Sequence, residues 1–143
     1  MKTLRQLIAG KHKPIAAIEP DATVLHALEI MAENDVGALL VLDGERLAGV
    51  FSERDYARKV ILQGKGSRQT KVSEVMTGKV VYVKQNATIE ECMAIMTEKH
   101  IRHLPVLDDN QMVVGIVSIG DVVKGMVSQQ KFIIGQLENY ITG

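Results

Sequence analysis

The chain has 143 residues, 46% hydrophobic and 3% aromatic, which predicts an aliphatic core. Its formal net charge of +0 argues against a surface that binds nucleic acids or membranes through charge alone. The single cysteine, Cys92, excludes an internal disulfide and suits a reducing compartment, while the apolar runs are too short for a signal peptide or for the roughly 20 residues of a membrane span. We therefore expect a cytoplasmic protein.

The first half of the chain predicts a short helix followed by a strand, helix, strand, strand, helix series. Thr3 can cap a helix over residues 4–9 that Gly10 ends, and residues 15–18 suit a strand. Apolar residues at helical spacing favour a helix from Thr23 through Asn34. The remaining elements are strands at 36–42 and 47–51, joined by the hairpin signal Asp43-Gly44, and a helix from Ser52 to about Gln63.

The second half repeats this series after a flexible, basic linker. We assign residues 64–79 to the linker and a short helix at 72–76, and predict a strand at 80–83 and a helix at 88–99. Strands at 103–107 and 112–117 and a helix from Ser118 follow. The predicted divisions are 1–14 (lead-in), 15–63 (first repeat), 64–79, 80–127 (second repeat) and 128–143 (tail). Apolar residues continue through this tail, which must therefore dock on its own domain or on another chain.

The two halves share sequence as well as element order. Thr23 recurs as Thr88 and Met31 as Met96, 65 positions later. Both halves also contain Gly-x-x-Ser-x-x-Asp where a strand runs into a helix, at residues 49–55 and 115–121. Ser at the N-cap and Asp in the first turn would stabilise a helix without any further function. Two copies at matching positions of a repeat strengthen the interpretation as ligand sites.

These features resemble a tandem pair of cystathionine-β-synthase (CBS) domains, also called a Bateman module. The resemblance is carried by the run Ile-Arg-His-Leu-Pro-Val-Leu-Asp at 101–108, by the motif at 115–121, and by Val-Ser-Glu-Val-Met-Thr at 72–77. It implies an α/β (α+β) fold of two βαββα repeats related by a pseudo-twofold axis. It also implies two clefts that take adenosine-containing ligands, with the Asp on the ribose hydroxyls and the Ser near the phosphate.

Carried over residue by residue, the resemblance assigns each cleft to side chains from both repeats. Cleft A would contain Lys13, Ile15, Gly37, Ala38, Ser118, Ile119 and Asp121. Cleft B would contain Ser52, Arg54, Asp55, Thr77, Val80, Arg102 and His103. Because Gly37 provides no cation, Lys13 or Lys11 would compensate phosphate charge in cleft A. Arg54, Arg58 and Lys59 form a basic stripe that is either a solvated face or brings Arg54 or Arg58 to a second phosphate, which would suit NAD over AMP.

The resemblance implies a regulatory protein without catalysis or a required cofactor. The expected ligands are AMP, ADP, ATP, NAD or S-adenosylmethionine, and the expected partners are a second copy, as a homodimer, and a regulated protein in trans. The alternative is a protein-interaction module with vestigial clefts; a nucleic-acid binder is poorly supported by the charge. No metal site is expected, since His100 and His103 straddle a helix end and a strand start, and Cys92 suits a core position.

Overall fold

The computed structural model describes residues 2–10 and 15–142, with the side chain of residue 142 excepted. The chain forms two compact units. One consists of Pro14–Val81, and the other combines Met1–Lys13 with Tyr82–Gly143. Each unit contains one three-stranded sheet, in agreement with the predicted mixed fold of two βαββα repeats.

The unit Pro14–Val81 has its sheet in the order β1-β2-β3. Strand β1 (Ala17–Ile18) is parallel to β2 (Ala38–Asp43), which is antiparallel to β3 (Arg46–Ser52). Helix α2 (Val24–Asn34) crosses between the parallel strands. Helix α3 (Glu53–Asp55) continues as a π-helical segment (Tyr56–Ile61), and α4 (Val72–Val75) ends the unit. Aliphatic side chains and one Phe form the core: Ile18, Val24, Ala27, Met31, Leu39, Val41, Phe51, Val60, Val72 and Val75.

The other unit repeats this plan. Strand β4 (Val83–Lys84) is parallel to β5 (His103–Leu107), which is antiparallel to β6 (Val113–Ser118). Helix α5 (Ile89–Lys99) is the crossover, and α6 (Ile119–Thr142) follows β6. The unit also contains α1 (Leu4–Ala9) from the start of the chain.

The predicted helix starts are confirmed at three threonines. The Thr3, Thr23 and Thr88 hydroxyls accept hydrogen bonds from the backbone N–H groups of Gln6, His26 and Glu91, respectively. Each hydroxyl satisfies a donor that the first helical turn leaves without an intrahelical partner. The crossover helices also end alike, on Asp35 at φ 52° and His100 at φ 56°, which are 65 positions apart. A left-handed residue at this point ends the helix and turns the chain into the next strand.

Helices α1 and α4 each lead into one repeat and pack on the other. The backbone N–H groups of Leu4 and Arg5 donate to the carbonyls of Ala87 and Gln85, at 2.9 and 2.8 Å. In the unit Pro14–Val81, Val72 and Ser73 donate to Ala22 and Pro20, both at 2.9 Å. Since Ala22 and Pro20 lie 65 positions before Ala87 and Gln85, the two lead-in helices use equivalent docking sites.

Two strand predictions were wrong in extent, and one predicted helix differs in type. Strands β1 and β4 each pair over only two residues, so residues 15–16 and 80–82 lie outside the strands that we predicted there. The helix after Ser52 widens, because Leu62 donates to the carbonyl of Ala57, five residues earlier. This wider turn keeps Tyr56 and Val60 against the core.

Candidate functional site

The motif at residues 49–55 folds into a reciprocal cap at the junction of β3 and α3. The Asp55 N–H donates to the Ser52 hydroxyl oxygen at 3.2 Å. The Ser52 N–H and hydroxyl both donate to Asp55 Oδ2 at 3.0 Å. The chain folds this way because Ser at the N-cap and an acidic N3 residue satisfy each other's backbone donors. The carboxylate is thereby fixed in the first turn of the helix.

The remaining oxygen of Asp55 has partners from two other elements. Thr77 Oγ1 donates to Asp55 Oδ1 at 3.1 Å, and Lys59 Nζ lies 3.0 Å from the same atom. The Asp55 side chain is only 8% exposed. A carboxylate offers about four lone-pair sites, and these four contacts occupy them. A ligand hydroxyl that binds Asp55 must therefore displace Thr77 or Lys59.

The motif at residues 115–121 forms the same kind of cap. The Ser118 N–H donates to Asp121 Oδ2 at 2.8 Å, and the Asp121 N–H donates to the Ser118 hydroxyl at 3.1 Å. Asp121 is half-buried, whereas Asp55 is buried.

The residues equivalent to Lys59 and Thr77 differ between the two motifs. A shift of 66 positions, which relates Asp55 to Asp121, places Gly125 at the position of Lys59. The shift of 68 that relates the lead-in helices places Ala9 at the position of Thr77. Neither Gly125 nor Ala9 has a side-chain donor, so the contacts that Lys59 and Thr77 make with Asp55 are not repeated from these two positions.

Each motif lies beside the start of the middle strand of its own sheet. Ala38 pairs with Ser52, and the Glu53 N–H donates to the Gly37 carbonyl at 3.0 Å. In the same way, His103 pairs with Ser118, and the Ile119 N–H donates to the Arg102 carbonyl at 2.8 Å.

The structure thus groups ten of the predicted site residues by unit. The first group is Gly37, Ala38, Ser52, Asp55 and Thr77; the second is Arg102, His103, Ser118, Ile119 and Asp121. Of the others, Arg54 is exposed at the start of α3, Ile15 is 42% exposed before β1, and Val80 is half-buried. Lys13, like Lys11, lies outside the described residues. The predicted clefts A and B join residues of both units, and this pairing stays a prediction.

Sequence reasoning missed the contact between Lys59 and Asp55. We had placed Lys59 in a basic stripe with Arg54 and Arg58, either solvated or facing a phosphate. Its spacing of four residues from Asp55 on a helix is itself a signal for an ion pair. The Lys59 side chain is 45% exposed, so the pair is only partly shielded from solvent.

The described residues were also compared with the requirements of a metal site, a cysteine nucleophile and a membrane-spanning helix. Within residues 2–10 and 15–142, no three His, Cys, Asp or Glu side chains cluster as a metal site would require. Burial raises the pKa of the Cys92 thiol to about 11, so the nucleophilic thiolate is scarce at neutral pH. No helix in the described part of the chain is long and apolar enough to cross a bilayer.

Comparison with known proteins agrees with this architecture. The CBS domain family matches residues 8–61 and 72–128. The mitochondrial CBS domain-containing protein CBSX3 of Arabidopsis thaliana is 41% identical over 128 residues, which cover 86% of this chain and 62% of that protein. The chain thus spans less than two thirds of the length of this relative.

Solved structures show the same fold. A putative signal-transduction protein with CBS domains from Burkholderia ambifaria superposes with a TM-score of 0.85 at 45% identity, covering 90% of this chain and 96% of that one. The CBS domain pair of protein MJ0100, solved with 5′-methylthioadenosine and S-adenosyl-L-methionine, has a TM-score of 0.79 at 22% identity, covering 90% and 98%. With two family matches in tandem and two βαββα units, this chain belongs to the CBS domain family as a CBS pair.

Proposed function

We propose that this protein is a regulatory module that binds an adenosine-containing ligand through its Ser-x-x-Asp motifs. The observation that carries the proposal is the pair of carboxylates, Asp55 and Asp121, each fixed by a serine cap at the same strand-to-helix junction. A carboxylate held in this way can accept from both hydroxyls of a ribose cis-diol, and first-turn N–H groups attract a phosphate. The relative solved with methylthioadenosine and S-adenosyl-L-methionine supports the same ligand class.

The Asp55 carboxylate already has partners within its own unit. A diol at Asp55 must replace contacts such as the hydrogen bond from Thr77 or the ion pair with Lys59. Displaced contacts subtract from the binding free energy at that motif. The ligand set remains AMP, ADP, ATP, NAD and S-adenosylmethionine.

We propose that the signal passes in trans, from a homodimer of this chain to a separate regulated protein. Helix α6 begins directly after Ser118 and runs through Thr142, so one helix joins the second motif to an exposed surface. A ligand changes the equilibrium between two arrangements only if it binds one of them better. Contacts at the first turn of α6 provide a place for such a preference.

A thermal-shift panel with AMP, ADP, ATP, NAD and S-adenosylmethionine tests this function. A ligand at 100 times its Kd adds about 2.7 kcal/mol of stability, which corresponds to a rise in Tm of roughly 5–10 °C. Asp55→Asn and Asp121→Asn each keep a side-chain oxygen for the cap but remove the charge, so each should reduce this rise. Asp109→Asn, in the exposed β5–β6 turn, should leave it unchanged.

Two results would overturn parts of the proposal. A flat panel up to millimolar ligand would leave the interaction module as the better function. A rise that survives both Asp55→Asn and Asp121→Asn would show that the ligand binds elsewhere.

A further inference from the structure

The far half of α6 carries a concentration of exposed apolar side chains. The near half of α6 packs on its own unit, where Val122 is buried. Gln129 Nε2 donates to Glu90 Oε1 at 3.0 Å, and the Lys2 N–H donates to Gln129 Oε1 at 3.3 Å. Beyond Gln129, six large apolar side chains are at least 50% exposed: Phe132, Ile133, Ile134, Leu137, Tyr140 and Ile141. Such a concentration on one helix end indicates an interaction surface.

One stripe along α6 follows a heptad spacing. Steps of three and four residues alternate through Gly120, Val123, Val127, Gln130, Ile134, Leu137 and Ile141, which we call the seam. Its five apolar side chains are 44–81% exposed. The neighbouring edge is polar, with Lys124, Ser128, Lys131 and Glu138. Because a period of 3.5 residues keeps a stripe facing one partner helix, the seam is suited to a coiled coil.

The residue types along the seam favour a parallel pair of identical helices. After Gly120, one core position of the heptad is occupied by Val127, Ile134 and Ile141, and the other by Val123, Gln130 and Leu137. β-branched residues at the first position, with Leu137 at the second, favour two parallel strands. In a parallel pair Gln130 meets Gln130 of the second copy, and the two amides can hydrogen-bond. In the antiparallel pair Gln130 would face Ile134, and its buried amide would have no partner in that layer.

We propose that the seam binds the seam of a second copy of this chain, in parallel and with the Gln130 side chains in register. This specifies the homodimer of the proposed function, on which it rests, but it does not depend on ligand binding. The seam extends over about 30 Å of helix, at 1.5 Å per residue.

Sedimentation at micromolar concentration tests the seam with two matched substitutions. Leu137→Glu places a charge in the seam and should give a monomer. Phe132→Glu introduces the same charge at a similarly exposed position on the opposite side of α6, and should leave the dimer intact. Since both side chains are exposed, far-UV circular dichroism should show the native fold in each variant. A monomeric wild type, or a dimer that survives Leu137→Glu, would overturn the proposal.

Single cysteines determine the orientation. In the parallel pair, Val127→Cys and Leu137→Cys each face their own copy, so each variant should form a disulfide-linked dimer under mild oxidation. In the antiparallel pair position 127 would face 137, and only a mixture of the two variants would cross-link. That second result would overturn the parallel arrangement. Cys92 should not interfere, because it is buried.

The seam and the nucleotide proposal fail independently. The thermal-shift panel can be repeated with Leu137→Glu, whose motif residues are intact. A monomer that still shifts with ligand separates dimerisation from binding, while a dimer without any ligand response retains the seam and refutes the sensor.

Discussion

At the scale of single residues, Asp55 and Asp121 differ in their neighbours rather than in their caps. Both accept from the N–H of a serine three residues earlier. Asp55 also bonds to Thr77 and Lys59, which tie α4's C-terminal end and the π-helical segment to the motif. The same carboxylate that could hold a ribose therefore also stabilises its own unit. A ligand that binds Asp55 therefore exchanges contacts with these neighbours.

Thr77→Val tests the structural part of this role. The substitution removes the hydroxyl that donates to Asp55 Oδ1 and preserves the side-chain shape. We expect a loss of about 1 kcal/mol, since a hydrogen bond to a charged, buried partner is removed while Thr77 itself is exposed. Chemical denaturation measures it. Thr97→Val is the control, because the Thr97 hydroxyl donates to the Met93 carbonyl on an exposed helix face. Equal losses in the two variants would contradict the special role of Asp55.

At the scale of elements, the glycine that begins each motif sets how closely a lead-in helix, or the residues just after it, can approach the strand that contains this glycine. A Cβ on Gly49 would lie 2.7 Å from the Thr77 carbonyl oxygen and 2.8 Å from Met76 Sδ. For a Cβ on Gly115, the three nearest atoms all belong to the Ile8 side chain, the first at 3.3 Å. Glycine at residue 49 is thus required by the backbone of a neighbouring segment, while residue 115 faces a side chain that can move.

Gly49→Ala and Gly115→Ala form a matched pair for this difference. We expect Gly49→Ala to destabilise by about 1–3 kcal/mol, as overpacking against backbone does. Gly115→Ala should cost less, since Ile8 can shift and alanine restricts the unfolded chain. Urea midpoints compare the two. A larger loss of stability for Gly115→Ala would show that the close contact of residues 76–77 with position 49 is not the reason for glycine there.

Sequence reasoning succeeded for elements where local chemistry decides. The capping threonines, the hairpin turn and the Ser-x-x-Asp junctions all depend on residues within four positions of each other. It failed where distant partners decide: β1 and β4 are short because only two residues of each meet the middle strand. Local motifs predicted the capped carboxylates Asp55 and Asp121. The hydrogen bond from Thr77 to Asp55 spans 22 positions, and no local signal predicted it.

At the scale of the whole molecule, the chain crosses over between its two units. Helix α1 precedes the first repeat but packs with the second, and its Leu4 side chain is fully buried there. Helix α4 precedes the second repeat and packs with the first, through Val72. The similarity of Leu4, Leu7 and Ile8 to Val72, Val75 and Met76 is the sequence signal for this equivalence, and we had not used it.

Leu4→Ala and Val72→Ala should destabilise different units. Truncating a buried Leu costs about 2–5 kcal/mol, and truncating a buried Val somewhat less. Hydrogen exchange should show the loss of protection for Leu4→Ala in α5, β5 and β6, and for Val72→Ala in α2, β2 and β3. Loss of protection in the opposite units would contradict the crossed packing.

The crossed packing has a consequence for synthesis on the ribosome. The unit Pro14–Val81 is continuous, so it can fold as soon as its last residue has emerged. Helix α1 is made first, yet its docking carbonyls at Gln85 and Ala87 and its neighbour Gln129 are made much later. At 5–20 residues per second, the apolar face of α1 waits on the order of ten seconds for its site. The nascent chain therefore exposes Leu4 and its neighbours until the second repeat is nearly complete.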